Sequence, residues 1–584
     1  MNLPKSVSDT FDEALGNVVG EATATRVVVR TREPLKVGEF VIVEPLKGEG
    51  EVLGWVEESV AKNDYIEDIM ELESLELADA LMRQWELSMA HTKYFATVKL
   101  LSLLDPLVNE GRHVPPRTAP DPGSRVYKAS NEVLEAIFAK KNDPRYIRLG
   151  ELSAHPGVPF YVNVNSIVSR HLAIVAVTGA GKSNTVSVLV QRIVKEKRGS
   201  VLIFDMHGEY TDVLEERYVN YVPPLLDPTK LDASAMAKLM GLKDAPKQEL
   251  YLRNVLRIWK VLEMSSLVEK EDFFDVVQNI LTELMNRKNM PMLSDNVHKL
   301  YVAAQLLERQ KIFNKTRPVE SLLRALKSSS NTDVCKRGGC DDLYSEIELV
   351  SSDKNSVLPT LLLKFQDMKN KYQDKLLKFN VPDVIEMIKP GKLNVMDLHQ
   401  LDEDTADVVV SITLSKVLNA RKDYVHKRPS PLTFPILLIL EEAHILAPAN
   451  RRTLTKYWVS RITREGRKFG VGLCMVSQRP KGLDQDALSQ ANNLIVLRLI
   501  EPGDQRHVQA SSEGLSEELV RQLPSLATGE AVILGPLTPL PAIVRIDKAE
   551  GKRVGSDLDI VRQWMETDEL EKESGGGDEA LWEG

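Results

Sequence analysis

The sequence predicts an α/β protein in which helices surround a parallel sheet, with a small β-barrel before the sheet and a helical bundle inserted within it. Three observations carry this prediction. Buried apolar strands alternate with helical periodicity from residue 161 onward, as in a doubly wound sheet. Short strands separated by glycine and proline precede them. The apolar spacing becomes helical between about residues 245 and 377.

Residues 1–150 are predicted to form the barrel and its connection to the sheet. Short strands separated by turn residues are predicted at residues 25–31, 40–44 and 51–56. Helical periodicity follows over residues 66–90, and strand character returns over 94–104. We therefore expect a barrel with a helical insertion, followed by a connecting loop at residues 106–122 that is rich in proline, arginine and glycine.

The remaining residues divide into an interrupted core, an insertion and a tail. The core is predicted to occupy residues 151–244 and 391–548, on either side of an insertion at 245–390. Core strands are predicted at 172–177, 201–205, 393–397, 436–440, 472–477 and 494–499. Inserted helices are predicted at 249–265, 271–287, 294–314 and 357–377. Residues 549–584 form a C-terminal extension whose acidic, glycine-containing end predicts a mobile tail.

Composition and charge limit the class of protein. A net charge of −9 argues against a protein that coats nucleic acid with its whole surface, but it permits a motor whose positive charge is confined to a channel. The sequence has neither a signal core nor an apolar run long enough to span a bilayer, and three cysteines exclude a disulfide framework. We therefore expect a cytoplasmic protein without a membrane segment. The spacing of Cys335 and Cys340 is compatible with a surface loop, a local disulfide or a zinc site shared between subunits.

A glycine-rich turn follows the first apolar strand of the core at residues 176–183, Ala-Val-Thr-Gly-Ala-Gly-Lys-Ser. Strand, turn and helix in this order are typical of a phosphate-binding loop, in which backbone N–H groups surround a phosphate. Lys182 is predicted to reach the β- and γ-phosphates, and the Ser183 hydroxyl to ligate Mg²⁺. Ala176 replaces the usual first glycine, and its Cβ is tolerated if its φ is negative. The predicted nucleotide-binding residues of this loop are Thr178, Gly179, Ala180, Gly181, Lys182, Ser183 and Asn184.

A second apolar strand, at residues 436–440, ends in the paired carboxylates of Glu441 and Glu442. In an ATPase this pair completes the site. Glu441 is predicted to hold the Mg²⁺ shell, and Glu442 to polarise the attacking water. The alternative is a strand followed by a solvated helix start, with the glutamates as favourable N-terminal charges. So apolar a strand, ending in Glu-Glu-Ala-His after a phosphate loop, favours the ATPase site.

Further polar residues follow or precede the other core strands. Asp205 and Glu209 come after a buried strand and are predicted at the nucleotide, although a turn capped by Asp205 is an alternative. Gln478 closes the strand that begins near residue 471 and is predicted to sense the γ-phosphate. Arg467 precedes that strand. It is predicted to act as an arginine finger in a neighbour's site, with a surface ion pair as the alternative.

Together these motifs resemble the HerA branch of the HerA/FtsK family of DNA-pumping ATPases. The markers are Arg170-His-Leu-Ala, Asp205-x-His-Gly-Glu-Tyr, Glu-Glu-Ala-His, Glu-Gly-Arg-Lys-Phe-Gly and Val-Ser-Gln-Arg-Pro. The resemblance spans nearly the whole chain. The sequence departs from the common pattern at Ala176 and at Glu441, where many relatives have Asp, and neither change removes a needed functional group.

The resemblance implies a RecA-like P-loop ATPase core, an N-terminal barrel similar to that of ATP synthase subunits, and a homohexameric ring. Such a ring hydrolyses ATP at subunit interfaces and moves double-stranded DNA through a central channel. The resemblance also implies partnership with the NurA nuclease, docked on the barrel face, in resecting broken ends for homologous recombination in archaea. By motif matching, the chemistry within one subunit falls to Lys182, Ser183, Glu441 and Glu442. Across the interface, Arg467 is the first catalytic candidate and Arg170 the second.

Two other functions share parts of this pattern. A secretion or conjugation ATPase has the same core but works on protein or at a membrane, and the predicted lack of a membrane segment disfavours it. A nucleotide-gated scaffold would use ATP only to assemble a ring, and it would not need a water-polarising carboxylate such as Glu442. Candidates for either the channel or the subunit interface are Arg451, Arg452, Arg461 and Arg464.

Overall fold

The structure, a computed structural model of the chain, describes residues 13–48, 50–63, 92–242, 245–264, 269–286, 354–512, 514–551 and 560–561. Some predicted features lie outside these residues, namely the barrel insertion at 66–90, the helix at 294–314, Cys335, Cys340 and the acidic tail beyond residue 561. The described part comprises a barrel, a large sheet with its connecting helices, and part of the inserted helical region.

The N-terminal strands close into a barrel, as predicted. Their bounds are β1 Gly16–Val19, β2 Arg26–Thr31, β3 Phe40–Glu44, β4 Val52–Lys62, β5 Lys93–Leu103 and β6 Arg125–Lys128. All pairs are antiparallel, in the order β1-β2-β5-β4-β3-β6. Strands β2 and β3 are rich in β-branched residues, which favour strands, and buried positions alternate with exposed ones where one face of a strand is solvated. In β2, for example, Val27 and Val29 are buried and Val28 between them is exposed.

A second sheet of eleven strands forms the core of the described chain. Its strands are β7 Tyr146–Leu152, β8 Pro159–Asn163, β9 Leu172–Val175, β10 Ser200–Asp205, β11 Val219–Tyr221, β12 Leu393–Asp397, β13 Ile436–Leu440, β14 Val471–Ser477, β15 Asn493–Val496, β16 Glu530–Leu534 and β17 Ala542–Ile546. Their order is β11-β12-β10-β13-β14-β9-β15-β16-β17-β7-β8. Neighbours are parallel from β11 to β15 and antiparallel from β15 to β8. The predicted α/β class is confirmed, with a mixed sheet in place of an entirely parallel one.

The antiparallel part of this sheet departs from the predicted organisation. Strand β7 begins at Tyr146, within the residues 1–150 that the sequence assigns to the barrel, so the boundary at residue 150 cuts a strand. The strand pairs with β17 near the other end of the chain. Such a long-range pairing leaves no periodic signal in a sequence. It does require Gly150, because a Cβ at that position would collide with the Arg545 carbonyl.

Helices connect the strands and form the inserted region. Their bounds are α1 Leu104–Asn109, α2 Asn131–Phe138, α3 Val164–Arg170, α4 Lys182–Lys197, α5 Ala233–Leu239, α6 Pro246–Met264, α7 Phe273–Asn286, α8 Lys354–Tyr372, α9 Val384–Met387, α10 Glu403–Val425, α11 Ala443–Leu446, α12 Leu454–Phe469, α13 Gln485–Gln490, α14 Pro502–Ala510 and α15 Glu517–Gln522. Three predicted inserted helices overlap α6, α7 and α8, which pack through Trp259, Phe273, Phe274 and Phe365. Within the described ranges, no helix combines the length and apolar character needed to cross a membrane.

An aromatic cluster joins the barrel to the large sheet. The ring of Phe138, at the end of α2, lies 5.3 Å from that of Phe40 in β3 and 5.5 Å from that of Phe160 in β8, measured between centroids. The buried His155 adds a polar contact, because its Nε2 accepts a hydrogen bond from the Phe40 N–H at 2.9 Å. Barrel and sheet therefore share a continuous apolar core.

We expect this junction to lose stability on acidification. Burial lowers the pKa of His155 to about 4, so the folded chain keeps the imidazole neutral where the unfolded chain protonates it. Between about pH 6.5 and pH 4 the unfolded state therefore binds more protons. The free energy of unfolding should consequently decrease as the pH is lowered. This group contributes at most about 1.4 kcal/mol per pH unit to that decrease. Denaturant unfolding at several pH values measures the decline.

The variant His155→Gln is the matched control for this prediction. Its amide oxygen can accept the Phe40 N–H but does not titrate. The unfolding free energy of the variant should therefore decline less steeply over the same pH range. Parallel curves for the variant and the parent would contradict the assignment to His155.

Candidate nucleotide site

The glycine-rich turn between β9 and α4 has the backbone geometry of a phosphate loop. Gly179 and Gly181 adopt φ angles of 77° and 104°, whereas Ala176 has a negative φ that accommodates its Cβ. A Cβ at Gly181 would also lie 3.3 Å from the backbone nitrogen of Gly529. That segment supports the turn, since the Gly529 N–H donates to the Ala180 carbonyl at 3.0 Å. The first N–H groups of α4 are thus placed as in helix N-termini that bind phosphate.

A buried ion pair joins this loop to the end of β13. The Lys182 ammonium donates a hydrogen bond to Oε1 of Glu442, although the two residues are 260 positions apart. Gln478 Nε2 donates to the same oxygen at 2.8 Å. The Thr178 hydroxyl in turn donates to Gln478 Oε1 at 2.6 Å. Four residues predicted at the nucleotide therefore form one hydrogen-bonded network.

The paired glutamates of β13 differ in their electrostatic environment. Burial by itself would raise the pKa of Glu442, but the Lys182 ammonium outweighs burial and leaves that pKa below its ordinary value. For Glu441 burial prevails, and its pKa is raised well above its ordinary range. A divalent cation beside Glu441 would favour the ionised carboxylate. Glu442 also has a left-handed backbone, with a φ of 46°, at the start of α11.

Oxygen atoms suited to a magnesium ion lie beside the network. Glu441 Oε2 accepts from the Met206 N–H at 3.2 Å, while its buried Oε1 has no hydrogen-bond partner among the described residues. The buried Tyr210 hydroxyl also lacks one there. Ser183 Oγ donates to Glu209 Oε2 at 3.2 Å. Buried oxygens without a protein partner are commonly satisfied by water or ions.

These oxygens fit Mg²⁺, which prefers hydroxyl, carboxylate, water and phosphate ligands. Ser183 and Glu441 are the residues that would hold the ion, with Glu209 beside them. No group of three or more His, Cys, Asp or Glu side chains forms a ready metal site in the described part of the chain. Mg²⁺ at nucleotide sites takes much of its coordination from phosphates and water.

Asp205 shapes the neighbouring loop, at variance with its prediction as a nucleotide contact. Its Oδ1 accepts from the N–H groups of His207 and Gly208 at 3.2 and 2.8 Å. Its Oδ2 accepts from the Tyr210 N–H at 2.8 Å. The carboxylate is fully buried. The turn-capping alternative therefore describes Asp205 better, because backbone donors occupy both of its oxygens.

Three residues near the network were not predicted from the sequence. His207 Nε2 lies 3.7 Å from Glu442 Oε1, and His444 Nδ1 lies 3.3 Å from Glu442 Oε2. Arg498 follows β15, and its carbonyl accepts from the Val177 N–H at 3.0 Å. The sequence could have indicated the two histidines, because each lies two positions after a predicted acidic site residue.

Arg170 and Arg467 lie at the edge of the sheet formed by the amino ends of the parallel strands, whereas the network lies at the edge formed by their carboxyl ends. Arg170 ends α3 just before β9, and Arg467 is in the last turn of α12 just before β14. Both strands run from there towards the network, and the seven residues of β14 span about 23 Å at about 3.3 Å per residue. Arg467 is exposed, and neither arginine side chain forms an ion pair with a described residue. The structure therefore does not bring these two together with the other predicted site residues.

The fold and site define a P-loop ATPase. Strand β14, which is followed by Gln478, lies between β9 and β13. The phosphate loop follows β9 and the two glutamates follow β13, so all three features meet at the carboxyl ends of parallel strands.

The chain belongs to the HerA family of helicases. A sequence model of the family described as "Helicase HerA, central domain" matches residues 147–417. The DNA double-strand break repair helicase HerA of Saccharolobus solfataricus is 36% identical over 561 residues, which are 96% of this chain and 97% of that protein. The corresponding protein of Sulfurisphaera tokodaii is 35% identical over 555 residues, 95% of this chain and 97% of its own. The enzyme class is accordingly that of an ATP-hydrolysing helicase or translocase.

Similarity to solved structures is more remote. VirB4 of Thermoanaerobacter pseudethanolicus has a TM-score of 0.36 and 16% identity, covering 70% of this chain and 98% of that one. The plasmid coupling protein TrwB in complex with ADP and Mg²⁺ has a TM-score of 0.38 and 12% identity, covering 69% and 89%. Similarity at this level carries no information about function.

We expect Lys182→Ala to weaken ATP binding about 10- to 100-fold, because a hydrogen bond to a charged group contributes about 1.5–3 kcal/mol. Titration with a fluorescent ATP analogue measures the affinity. Lys195→Ala is the control, since Lys195 lies on the same helix but pairs at the surface with Glu550 at 2.8 Å. Unchanged affinity in Lys182→Ala would exclude the phosphate loop as the binding site.

Proposed function

We propose that this chain is an ATP-driven translocase of double-stranded DNA that works as a homohexameric ring. The main support is the division of the site between two edges of the sheet. The network around Lys182 and Glu442 is at one edge, and Arg170 and Arg467 are at the other. Because the distance along β14 is about 23 Å, these arginines cannot reach a phosphate bound at their own loop. An arginine in this position that contacts a nucleotide must therefore contact that of a second subunit, and a closed ring gives every site such a neighbour.

Within one subunit, ATP binding would exchange the partner of Lys182. The ammonium would leave the Glu442 carboxylate for the β- and γ-phosphates, and Glu442 would then be free to accept a proton from the attacking water. Gln478 would register the γ-phosphate, because it is bonded to both Thr178 and Glu442. Ser183 and Glu441 would hold Mg²⁺ beside the phosphates, and the ion would supply positive charge that offsets theirs.

The relatives named DNA double-strand break repair helicases support DNA as the substrate. We extend the proposal to partnership with the NurA nuclease, docked on the N-terminal barrel, in end resection for homologous recombination in the cytoplasm. The net charge of −9 requires that attraction for DNA come from a localised set of basic residues.

Two of the four candidate arginines are available for a phosphate backbone. Arg451 pairs with Glu403 at 2.7 Å, and Arg461 pairs with Glu465 at 3.3 Å. Arg452 and Arg464 are exposed and form no ion pair within the described ranges. We therefore assign the DNA contact to the second pair.

We expect Glu442→Gln to bind ATP and to lose hydrolysis. The amide cannot accept the proton of the attacking water, and general-base catalysis contributes at least about 10²-fold. Equilibrium binding and steady-state turnover, each measured with and without duplex DNA, separate the two effects. Glu501→Gln, which alters an exposed glutamate, is the control. Equal turnover in Glu442→Gln and the parent would refute the assignment, and DNA-independent turnover in the parent would favour the scaffold alternative.

We expect DNA binding to depend steeply on salt and hardly at all on base sequence, because the protein binds phosphates. Replacing Arg452 and Arg464 with alanine should flatten the plot of the logarithm of the binding constant against the logarithm of salt concentration. The slope should decrease by about one for each phosphate that an arginine no longer neutralises. Arg461→Ala should leave the slope unchanged, because that arginine is already paired. Fluorescence anisotropy of labelled duplexes over a salt series measures the slope. A flat dependence, or strong preference for one sequence, would contradict a channel translocase.

A further inference from the structure

His171 links α3 to β9 in a strained backbone conformation. Its φ of 59° and ψ of 163° lie in a region that is almost restricted to glycine. Neighbouring backbone groups are held in place around it. The Arg170 carbonyl accepts from the Asn492 N–H at 3.1 Å, and the His171 carbonyl accepts from Asn493 Nδ2 at 2.7 Å. Strain of this kind persists only where the surroundings enforce it, and it concentrates at functional positions.

The buried imidazole of His171 bonds to two different elements. Its Nδ1 accepts from the Leu473 N–H of β14 at 3.1 Å, so that nitrogen carries no proton. Its Nε2 therefore carries the proton of the neutral ring and donates to the Thr463 carbonyl of α12 at 3.2 Å. Burial lowers the pKa of His171 to about 4, in agreement with a neutral ring. One side chain thus fixes both α12 and β14 to the start of β9.

The ring lies between the two segments that carry the arginines. Arg170 directly precedes His171 in the chain. On the other side, a Cβ added at Gly466 would lie 3.5 Å from Cε1 of His171 and would collide with the Val471 carbonyl. Only glycine allows this close approach of α12, and Arg467 is the next residue.

We propose that His171 is a positioning residue for the arginines that this subunit supplies to its neighbour's nucleotide site. Its imidazole holds the end of α12, with Arg467, against the start of β9, where Arg170 lies. The inference rests on the proposed function, in which Arg467 acts across the subunit interface. It adds a residue that touches neither nucleotide nor phosphate but sets where the arginine stands.

Two amide variants separate the two bonds of the ring. His171→Asn keeps an acceptor near Nδ1 for Leu473 and loses the donor to Thr463. His171→Gln keeps a donor near Nε2 for Thr463 and loses the acceptor. If the bond to α12 positions Arg467, His171→Asn should lower kcat about 10²-fold with nucleotide affinity unchanged, since small misplacements cost about that much. His171→Gln should retain more of the turnover. The reverse order, or loss of nucleotide affinity, would overturn the proposal.

A mixed-ring experiment tests whether His171 acts across the interface. His171→Asn subunits are mixed with Glu442→Gln subunits, and single-turnover ATP hydrolysis is measured, because it needs only one competent interface. A site formed by the intact Glu442 of a His171→Asn subunit and the correctly positioned Arg467 of a neighbouring Glu442→Gln subunit should be active. Mixing should therefore restore hydrolysis. His171→Gly, which adopts the same backbone without strain, takes the place of the Asn variant if that variant fails to assemble.

A parallel mixture of Arg467→Ala with Glu442→Gln distinguishes this inference from the function on which it rests. Restored hydrolysis in both mixtures supports both the role of Arg467 across the interface and the role of His171 in positioning it. Restoration with Arg467→Ala but not with the His171 variant means that His171 serves its own subunit's site, which overturns the inference and leaves the function in place. Restoration in neither mixture, in rings verified to contain both subunits, overturns the role of Arg467 across the interface and the inference with it.

Discussion

The buried ion pair between Lys182 and Glu442 is the interaction on which the nucleotide site depends. Both side chains are almost wholly buried, and burial of two charges is costly unless their geometry and hydrogen bonds compensate for lost hydration. The compensation comes from the sheet. Strands β9 and β13 are the two parallel neighbours of β14, so the residues at their carboxyl ends meet at one edge. The register of three strands therefore decides whether lysine, carboxylate and Gln478 can act on one phosphate.

Buried polar groups fix helix α12 at both of its ends. At its start, the buried Asp407 accepts from the N–H groups of Leu454 and Thr455 at 2.9 and 2.8 Å. The same carboxylate accepts from the Lys238 ammonium of α5, which ties the helix to the region beside the insertion. At its end, His171 bonds to a carbonyl of the last two turns. Since buried polar groups fix both ends, α12 cannot shift without leaving one of them unsatisfied.

Much of the fold and the cis half of the site could be predicted because their signals are local. The phosphate loop is set by a strand, a turn and a helix within residues 172–197, and the glycines that need positive φ lie inside it. Glu441 and Glu442 follow an apolar run directly, and barrel strands such as β2 and β3 are rich in β-branched residues. His444 lies beside Glu442 within the same motif, whereas the proximity of His207 to Glu442 depends on the pairing of two strands.

The sequence by itself therefore determined the class of fold, the phosphate loop and the acidic pair, because each of these depends on neighbouring residues. Only the tertiary structure decided that β7 extends the sheet rather than the barrel, because its pairing with β17 joins distant parts of the chain. It also decided that Asp205 caps a turn, and that Arg170 and Arg467 stand at the edge opposite their own phosphate loop. Strand direction and register fix which side chains share an edge, and no short motif records either of them.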